Sequence, residues 1–228
     1  MGILYIVSTP IGNLEDITKR ALRILSEVDL ILCEDTRETK KLLDRYDIKT
    51  PTLSYHQHSE IKRTNEILDL LKRGKKLALV SDAGTPGISD PGNRLISILI
   101  GDLVQEVEIV PVPGPSAFLA AASISGFPTD RFCFLGFPPV KNKRKRFFEE
   151  VVNSKYPVIF YESPYRIIKS LTELNSCLVD SDNKKVVVCR ELTKKFETVY
   201  RGDIEKILKE IEKEGPRGEF VVVFEGKK

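Results

Sequence analysis

No apolar run in the chain reaches the roughly 18 residues needed to span a bilayer, and residues 1–10 carry neither the basic leader nor the cleavage site of a secretory signal. A cytosolic protein is therefore expected. Cysteine is sparse and scattered: Cys33, Cys133, Cys177 and Cys189 form no C-x-x-C pair and have no histidine nearby. That spacing argues against a zinc site or a disulfide framework and marks them as reduced core residues; no metal is expected. An excess of one charge is missing too. Lys and Arg number 36 against 33 Asp and Glu, a net of +3, so overall charge implies no nucleic-acid partner and local distribution must decide. Internal repeats and low-complexity stretches are absent.

What is present is 228 residues with 41% hydrophobic content, enough to bury one large core or two modest ones. Apolar β-branched runs alternate with stretches of helical period, the pattern of βαβ units and a mostly parallel sheet. Strands are expected over residues 3–8, 30–34, 77–81, 108–111, 133–135, 158–162, 185–191, 196–201 and 220–225. Helices are expected over 16–28, 37–46, 60–73, 93–103, 116–124, 145–152, 165–178 and 204–214. The strands at 185–191 and 196–201 are too close for a crossover helix, so they should pair as an antiparallel hairpin and make the second half a mixed sheet. Proline and glycine concentrate over 111–139, which sets the border between two α/β domains of similar size, 1–115 and 116–228.

The chemistry should lie in three loops. The first strand runs into Ser8-Thr9-Pro10-Ile11-Gly12-Asn13, where ligands sit in α/β sheets, outside the carboxyl ends of strands. It is neither G-x-G-x-x-G nor G-x-x-x-x-G-K-[ST], which removes the dinucleotide fingerprint and the P-loop. Taken alone it could be a tight turn, with Asp16 or Thr18 as a helix cap. Residues 81–92 (SDAGTPGISDPG) are almost wholly small, polar or turn-forming, more than a short connection needs. Glycine there lets the backbone approach a ligand, and carboxylates can accept hydrogen bonds, although Asp90 and Pro91 also fit a helix start. The third loop, residues 112–117 (VPGPSA), opens an alanine-rich helix with Ser116 as a natural cap. Three such loops after successive strands form one rim.

These loops, in this order, resemble the tetrapyrrole-methylase family of S-adenosylmethionine enzymes, two α/β domains with the cofactor in the cleft between them. Gly84-Thr85-Pro86 stands where many members carry Gly-Asp-Pro. Further segments, CEDTR at 33–37, DRFCFLGF at 130–137, FYES at 160–163, RELT at 190–193 and GEF at 218–220, are similar to the branch that 2′-O-methylates a cytidine ribose in small-subunit ribosomal RNA. The resemblance spans residues 4–226, with VSDAGTP and FYES the most specific; one departure is the lack of a glycine in 104–107. It implies an S-adenosylmethionine cofactor held by Pro10, Asp82, Ala83, Gly84, Thr85, Ile88, Ser116 and Ala117 of the first domain. From the second it implies Tyr161, Leu192, Gly218 and Glu219. It also implies a homodimer and a substrate in the 30S subunit or its RNA.

In methyl transfer from a sulfonium the cofactor carries the difficult chemistry and the protein aligns the reactants. A ribose hydroxyl is helped by a base. Candidates for these roles are Asp35 with Arg37, Asp82, Glu162, and His56 with His58. Arg37 suits a phosphate, yet Asp35 suits a helix cap with Arg37 in solvent equally well. Glu162 either positions substrate or pairs with Arg166 or Arg190. His56 and His58 point oppositely on a strand, which disfavours a metal and leaves an RNA-contacting or base-donating role. The run Lys141, Lys143, Arg144, Lys145 and Arg146 puts five cations in six residues, among Phe132, Phe134, Phe137, Phe147 and Phe148. It is expected to contact RNA phosphates, although such runs are often solvated helix starts and Phe147 and Phe148 suit a core. Alternatives to RNA methylation are a small-molecule tetrapyrrole-type methyltransferase of the same fold, or a noncatalytic RNA-binding assembly factor.

Overall fold

Short apolar strands alternating with amphipathic helices build two sheets. The computed structural model describes residues 1–56, 61–90, 92–102, 107–178 and 185–227. The chain divides into two compact units, Met1–Ser116 and Ala117–Lys228.

In the first unit the strands are β1 (Gly2–Val7), β2 (Leu30–Cys33), β3 (Thr52–Ser54), β4 (Lys76–Leu79) and β5 (Val107–Val112). They are joined by α1 (Lys19–Glu27), α2 (Thr36–Arg45), α3 (Ile61–Lys72) and α4 (Gly92–Asp102). All pairings are parallel, in the order β3-β2-β4-β1-β5. Right-handed crossovers that move in opposite directions across a sheet lay their helices on opposite faces. Accordingly α1 and α2 pack on Val7, Ile31, Cys33, Ala78 and Val80, while α3 and α4 cover Leu4, Ile6, Leu32, Leu77 and Leu79. Alternate strand residues thus face separate cores. In α1 the buried Ala21, Ile24 and Leu25 share one stripe, and the Thr18 hydroxyl caps the helix by accepting the Ala21 N–H at 3.0 Å. Strand β3 was not expected, being three residues long.

The second unit opens with α5 (Ala117–Ser125), followed by β6 (Cys133–Phe134), α6 (Arg144–Asn153), β7 (Val158–Glu162), α7 (Ile167–Ser176), β8 (Val186–Arg190), β9 (Thr198–Gly202), α8 (Ile204–Glu214) and β10 (Phe220–Phe224). The order is β6-β7-β10-β8-β9, with only β6 and β7 parallel. The antiparallel pairing of β8 with β9 is the hairpin the sequence predicts. Helices α6, α7 and α8 bury Phe148, Leu171, Ile207 and their neighbours against one face, and α5 packs on the other, over β7 and β10. Burying these apolar side chains stabilises each unit by about 25 cal/mol per Å² removed from water. All four cysteines are free thiols, Cys33 and Cys189 buried. Among the described residues no helix is long and apolar enough to cross a membrane, and no cluster of His, Cys, Asp and Glu could hold a metal ion.

Candidate functional site

At the carboxyl edge of the first sheet, strand order makes neighbours of the loops leaving β4, β1 and β5. Thr9 and Gly84 form a two-way backbone bridge, with N–H to carbonyl distances of 2.9 and 3.1 Å. The Thr9 hydroxyl donates to the Ser81 carbonyl at 3.0 Å, and Ser8 and Thr85 hydroxyls meet at 2.9 Å. Thr85 Oγ1 reaches the Pro115 carbonyl at 3.2 Å, so one side chain joins all three loops. Gly84 adopts φ +80°, a conformation that a side chain would strain. Gly114 passes so close to β1 that a Cβ on it would lie 2.9 Å from Ser8 Cβ. Pro10 is buried at this junction, Ser116 and Ala117 are half-buried at the entry to α5, and Asp82, Ala83 and Ile88 are exposed.

Carboxylates gather beside this rim. Asp90 Oδ1 accepts the N–H groups of Gly87 and Gly92 at 2.7 and 2.8 Å, tying the loop to the start of α4. Asp82 Oδ1 accepts the Asp35 N–H at 3.1 Å; burial raises the Asp82 pKa, partly offset by that bond. Asp35 caps α2 through the Arg37 N–H at 2.8 Å and holds the Arg37 guanidinium at 3.0 and 2.6 Å, which lowers its pKa to about 2. Glu34, the residue after β2, is half-buried. Its backbone carbonyl accepts from Ser54 Oγ, but its carboxylate has no hydrogen-bond or ion-pair partner among the described residues. Burial, then the charges of Asp90 and Asp82, push its pKa up to about 7.

In the second unit the carboxyl ends of β7 and β8 and the amino end of β10 share one edge. Glu191, at φ 53°, places its side chain against Gly218, where a Cβ would lie 2.4 Å from Glu191 Cγ. Glu191 Oε1 accepts the Glu219 N–H at 2.9 Å and Lys194 Nζ at 3.0 Å, and Lys194 also reaches Glu219 Oε2 at 2.7 Å. Leu192, Gly218 and Glu219 are thereby held in one turn cluster. Tyr161 lies on the α5 face of β7, its ring 4.9 Å from Phe134 and 5.4 Å from Phe137; burial raises its hydroxyl pKa, opposed by a hydrogen bond with the Phe118 backbone.

Strand alternation turns the next residue, Glu162, to the opposite face, beneath α6 and α7. It is 1% exposed and accepts from Ser163 N at 2.8 Å, Ser170 Oγ at 2.5 Å and Arg166 Nη2 at 2.9 Å. Ser170 Oγ accepts from Arg144 Nη2 at 2.9 Å, and Arg144 also binds Glu173 Oε2 at 2.8 Å through Nε. The two arginines then donate to consecutive carbonyls, Arg166 to Pro138 at 3.1 Å and Arg144 to Pro139 at 2.8 Å. They clamp the segment that displays Phe137, Val140, Lys141 and Lys143 to solvent.

The comparisons with known proteins fit this architecture. The sequence profile of the family described as "Tetrapyrrole (Corrin/Porphyrin) Methylases" matches residues 3–208. The chain belongs to the tetrapyrrole (corrin/porphyrin) methylase family. Its relatives include "Ribosomal RNA small subunit methyltransferase I" of Thermotoga maritima, 47% identical over 227 residues and 100% of both chains. The protein of the same description from Synechocystis sp. is 45% identical over 227 residues, 99% of this chain and 80% of the other. Among solved structures, the methyltransferase CobJ aligns with TM-score 0.73 at 18% identity, covering 98% of this chain and 94% of that one. The cobalt precorrin-4 methyltransferase CbiF aligns with TM-score 0.71 at 20% identity, over 97% and 94% of the two chains. At those identities the structural likeness concerns the fold alone.

Within this methylase, the structure sorts the sequence-predicted residues. Pro10, Gly84 and Thr85 meet at the first rim with Asp82, Ala83, Ile88, Ser116 and Ala117 on its loops, and Leu192, Gly218 and Glu219 cluster at the second unit's edge near the end of the Tyr161 strand. Asp35 and Arg37 stand together beside Asp82. Two assignments need correction. Glu162 is no exposed base, because its carboxylate is buried and fully engaged; its partner is Arg166, not Arg190, which binds Glu214. Arg144 is no RNA-facing cation: it is 5% exposed, on the buried stripe of α6 with Phe148, Val151 and Val152. Lys141, Lys143, Lys145 and Arg146 are exposed. His56 is exposed, whereas His58, Pro91 and residues 103–106 lie outside the described residues. Glu34, directly after β2 at the carboxyl edge of the sheet, was missed.

Proposed function

We propose that this methylase transfers a methyl group from S-adenosylmethionine to the ribose 2′-hydroxyl of a cytidine in small-subunit (16S) ribosomal RNA. The observation that carries the reading is identity of 45–47% over nearly the whole chain to proteins described as ribosomal RNA small subunit methyltransferase I. The rim of the first unit suits such a cofactor: it offers backbone groups at loops that meet without bulky side chains, and carboxylates that favour a cation. Pro10, Asp82, Ala83, Gly84, Thr85, Ile88, Ser116 and Ala117 would hold it in the first unit, and Tyr161, Leu192, Gly218 and Glu219 in the second. When bound, the cofactor supplies an activated methyl group on sulfonium sulfur. The protein's part is to orient the hydroxyl and take its proton.

RNA would be met by the clamped segment. Lys141, Lys143, Lys145 and Arg146 extend into solvent close in sequence to the exposed Phe137, and Tyr165 of the same unit is exposed as well, so cations for phosphate pairing and aromatic faces for base stacking are both available. Arg37, 86% exposed beyond its Asp35 contact, offers a further guanidinium to a phosphate. A homodimer acting in the cytoplasm is part of the same reading. The test is incubation of purified protein with labelled cofactor and 30S particles, naked RNA or a tetrapyrrole precursor, preceded by calorimetry with the cofactor. Label in the RNA is the expected result. Label on the tetrapyrrole alone overturns the substrate, and absent cofactor binding overturns the enzyme.

A further inference from the structure

We propose that Glu34 is the proton acceptor of the reaction, taking the hydroxyl proton of the ribose as its oxygen is methylated, an assignment that rests on the ribose reading above. The rim carries four carboxylates with different obligations. Asp35 is engaged by the Arg37 guanidinium and N–H, Asp82 by the Asp35 N–H, and Asp90 by the Gly87 and Gly92 N–H groups. Glu34 alone of the four has no hydrogen-bond or ion-pair partner for its carboxylate among the described residues. A half-buried carboxylate without a partner is costly to keep, and such groups concentrate where a substrate supplies the missing contact.

Glu34 directly follows β2, whose neighbour β4 leads straight into the loop that bridges to Thr9. It therefore stands at the carboxyl edge of the sheet, where ligands of open α/β sheets bind. The charged groups acting on it are Asp90 and Asp82, both on the loop between β4 and α4; among the described residues no cation opposes them. Burial and these like charges bring its pKa up to about 7, so at neutral pH the carboxylate is both present and basic enough to assist. Asp35, at about 2, is a far weaker base.

The step balances. The ribose oxygen bonds to the methyl carbon as the carbon–sulfur bond breaks with its electron pair remaining on sulfur. The O–H proton passes to the Glu34 carboxylate, which later releases it to water. An alternative role for Glu34, electrostatic attraction of a cationic cofactor, predicts a different outcome: weaker cofactor binding with the saturated rate unchanged.

The experiment measures single-turnover methylation of 30S particles at saturating S-adenosylmethionine by the full chain, as wild type, Glu34→Gln and Glu34→Asp, across about pH 5.5 to 8.5. The wild-type rate is expected to rise with a midpoint near about 7. Glu34→Gln should lower the rate about 100-fold or more and abolish the rise, with cofactor affinity by calorimetry within about threefold of wild type. Glu34→Asp should keep a pH-dependent rise at a reduced rate. Carboxyl-carbon NMR of the free protein supplies a readout apart from activity: one resonance, missing in Glu34→Gln, should titrate near about 7. A Glu34→Gln rate within about threefold of wild type, a loss confined to cofactor affinity, or a midpoint near 4.5 overturns the assignment. If wild type labels RNA bases and leaves ribose unlabelled, the ribose reading falls and Glu34 falls with it; if wild type labels ribose, only the Glu34 comparison is decisive.

Discussion

Replacing Glu162 by alanine should destabilise the second unit by about 3 kcal/mol or more, because it leaves a buried network without its acceptor. The carboxylate is 1% exposed and serves three donors: Ser163 N, Ser170 Oγ and Arg166 Nη2. Losing one partner of a buried pair typically costs about 3–5 kcal/mol, and each orphaned buried donor about 1–3 kcal/mol. Arg166 is 23% exposed and can turn partly to water, which places the loss at the lower end of that range. For a chain of this size it corresponds to a fall in Tm of about 6–12 °C. The exposed pair Lys145 with Glu149, 3.8 Å apart, is the control: Glu149→Ala should cost less than about 0.5 kcal/mol. Denaturant and thermal unfolding read both. Since the network clamps the Pro138 and Pro139 carbonyls, the isosteric Glu162→Gln should raise KM for RNA while leaving kcat within about threefold. A Glu162→Ala loss below about 1 kcal/mol, or a stable Glu162→Gln protein with kcat abolished, would refute the structural role.

Other perturbations separate the remaining parts. Changing Lys141, Lys143, Lys145 and Arg146 to serine should weaken RNA binding uniformly and flatten its salt dependence by about one unit of slope per lost phosphate contact, with stability unchanged. Arg144→Ala should instead lower the unfolding free energy by about 3 kcal/mol, since it strips a 5% exposed guanidinium from Glu173, Ser170 and Pro139. Gly114→Ala forces a Cβ to within 2.9 Å of Ser8 Cβ and should cost about 1–3 kcal/mol, with cofactor affinity falling as the rim shifts. Glu34 sets a pH dependence of known sign. Its folded pKa of about 7 exceeds the ordinary 4.5, so the folded state binds the extra proton between these values and stability falls as pH rises through that window. In Glu34→Gln that slope should disappear, as followed by urea unfolding across the window.

Much of the rim was legible because its loops are built from residues with few other uses. Glycine, proline and small polar side chains after three strands mark places where backbone must turn or approach a ligand, and Gly84 at φ +80° does so. What escaped was the burial of individual charges. Arg144 sits in a basic run that reads as solvated, yet it recurs four residues before Phe148 and seven before Val151, the period of one helix face, and all three are buried. Glu162 likewise shares the parity of Val158 and Phe160 in β7, which directs it under α6 and α7 and away from Tyr161. Asp35 drew attention through Thr36 and Arg37, while its neighbour Glu34 acquires its chemistry from Asp82 and Asp90, some fifty residues away, a conjunction that only folding makes. Strand β3 was missed for a simpler reason, since three residues are too few to show alternation.

The central claim, methylation of ribose in small-subunit RNA, is tested most directly by nucleoside mass spectrometry of RNA from 30S particles that lack the modification, before and after incubation with the protein and S-adenosylmethionine. The account predicts a single new 2′-O-methylcytidine that appears only when protein and cofactor are both present. A methyl group on the cytosine base, or RNA left unmodified while cofactor binding is intact, would contradict it.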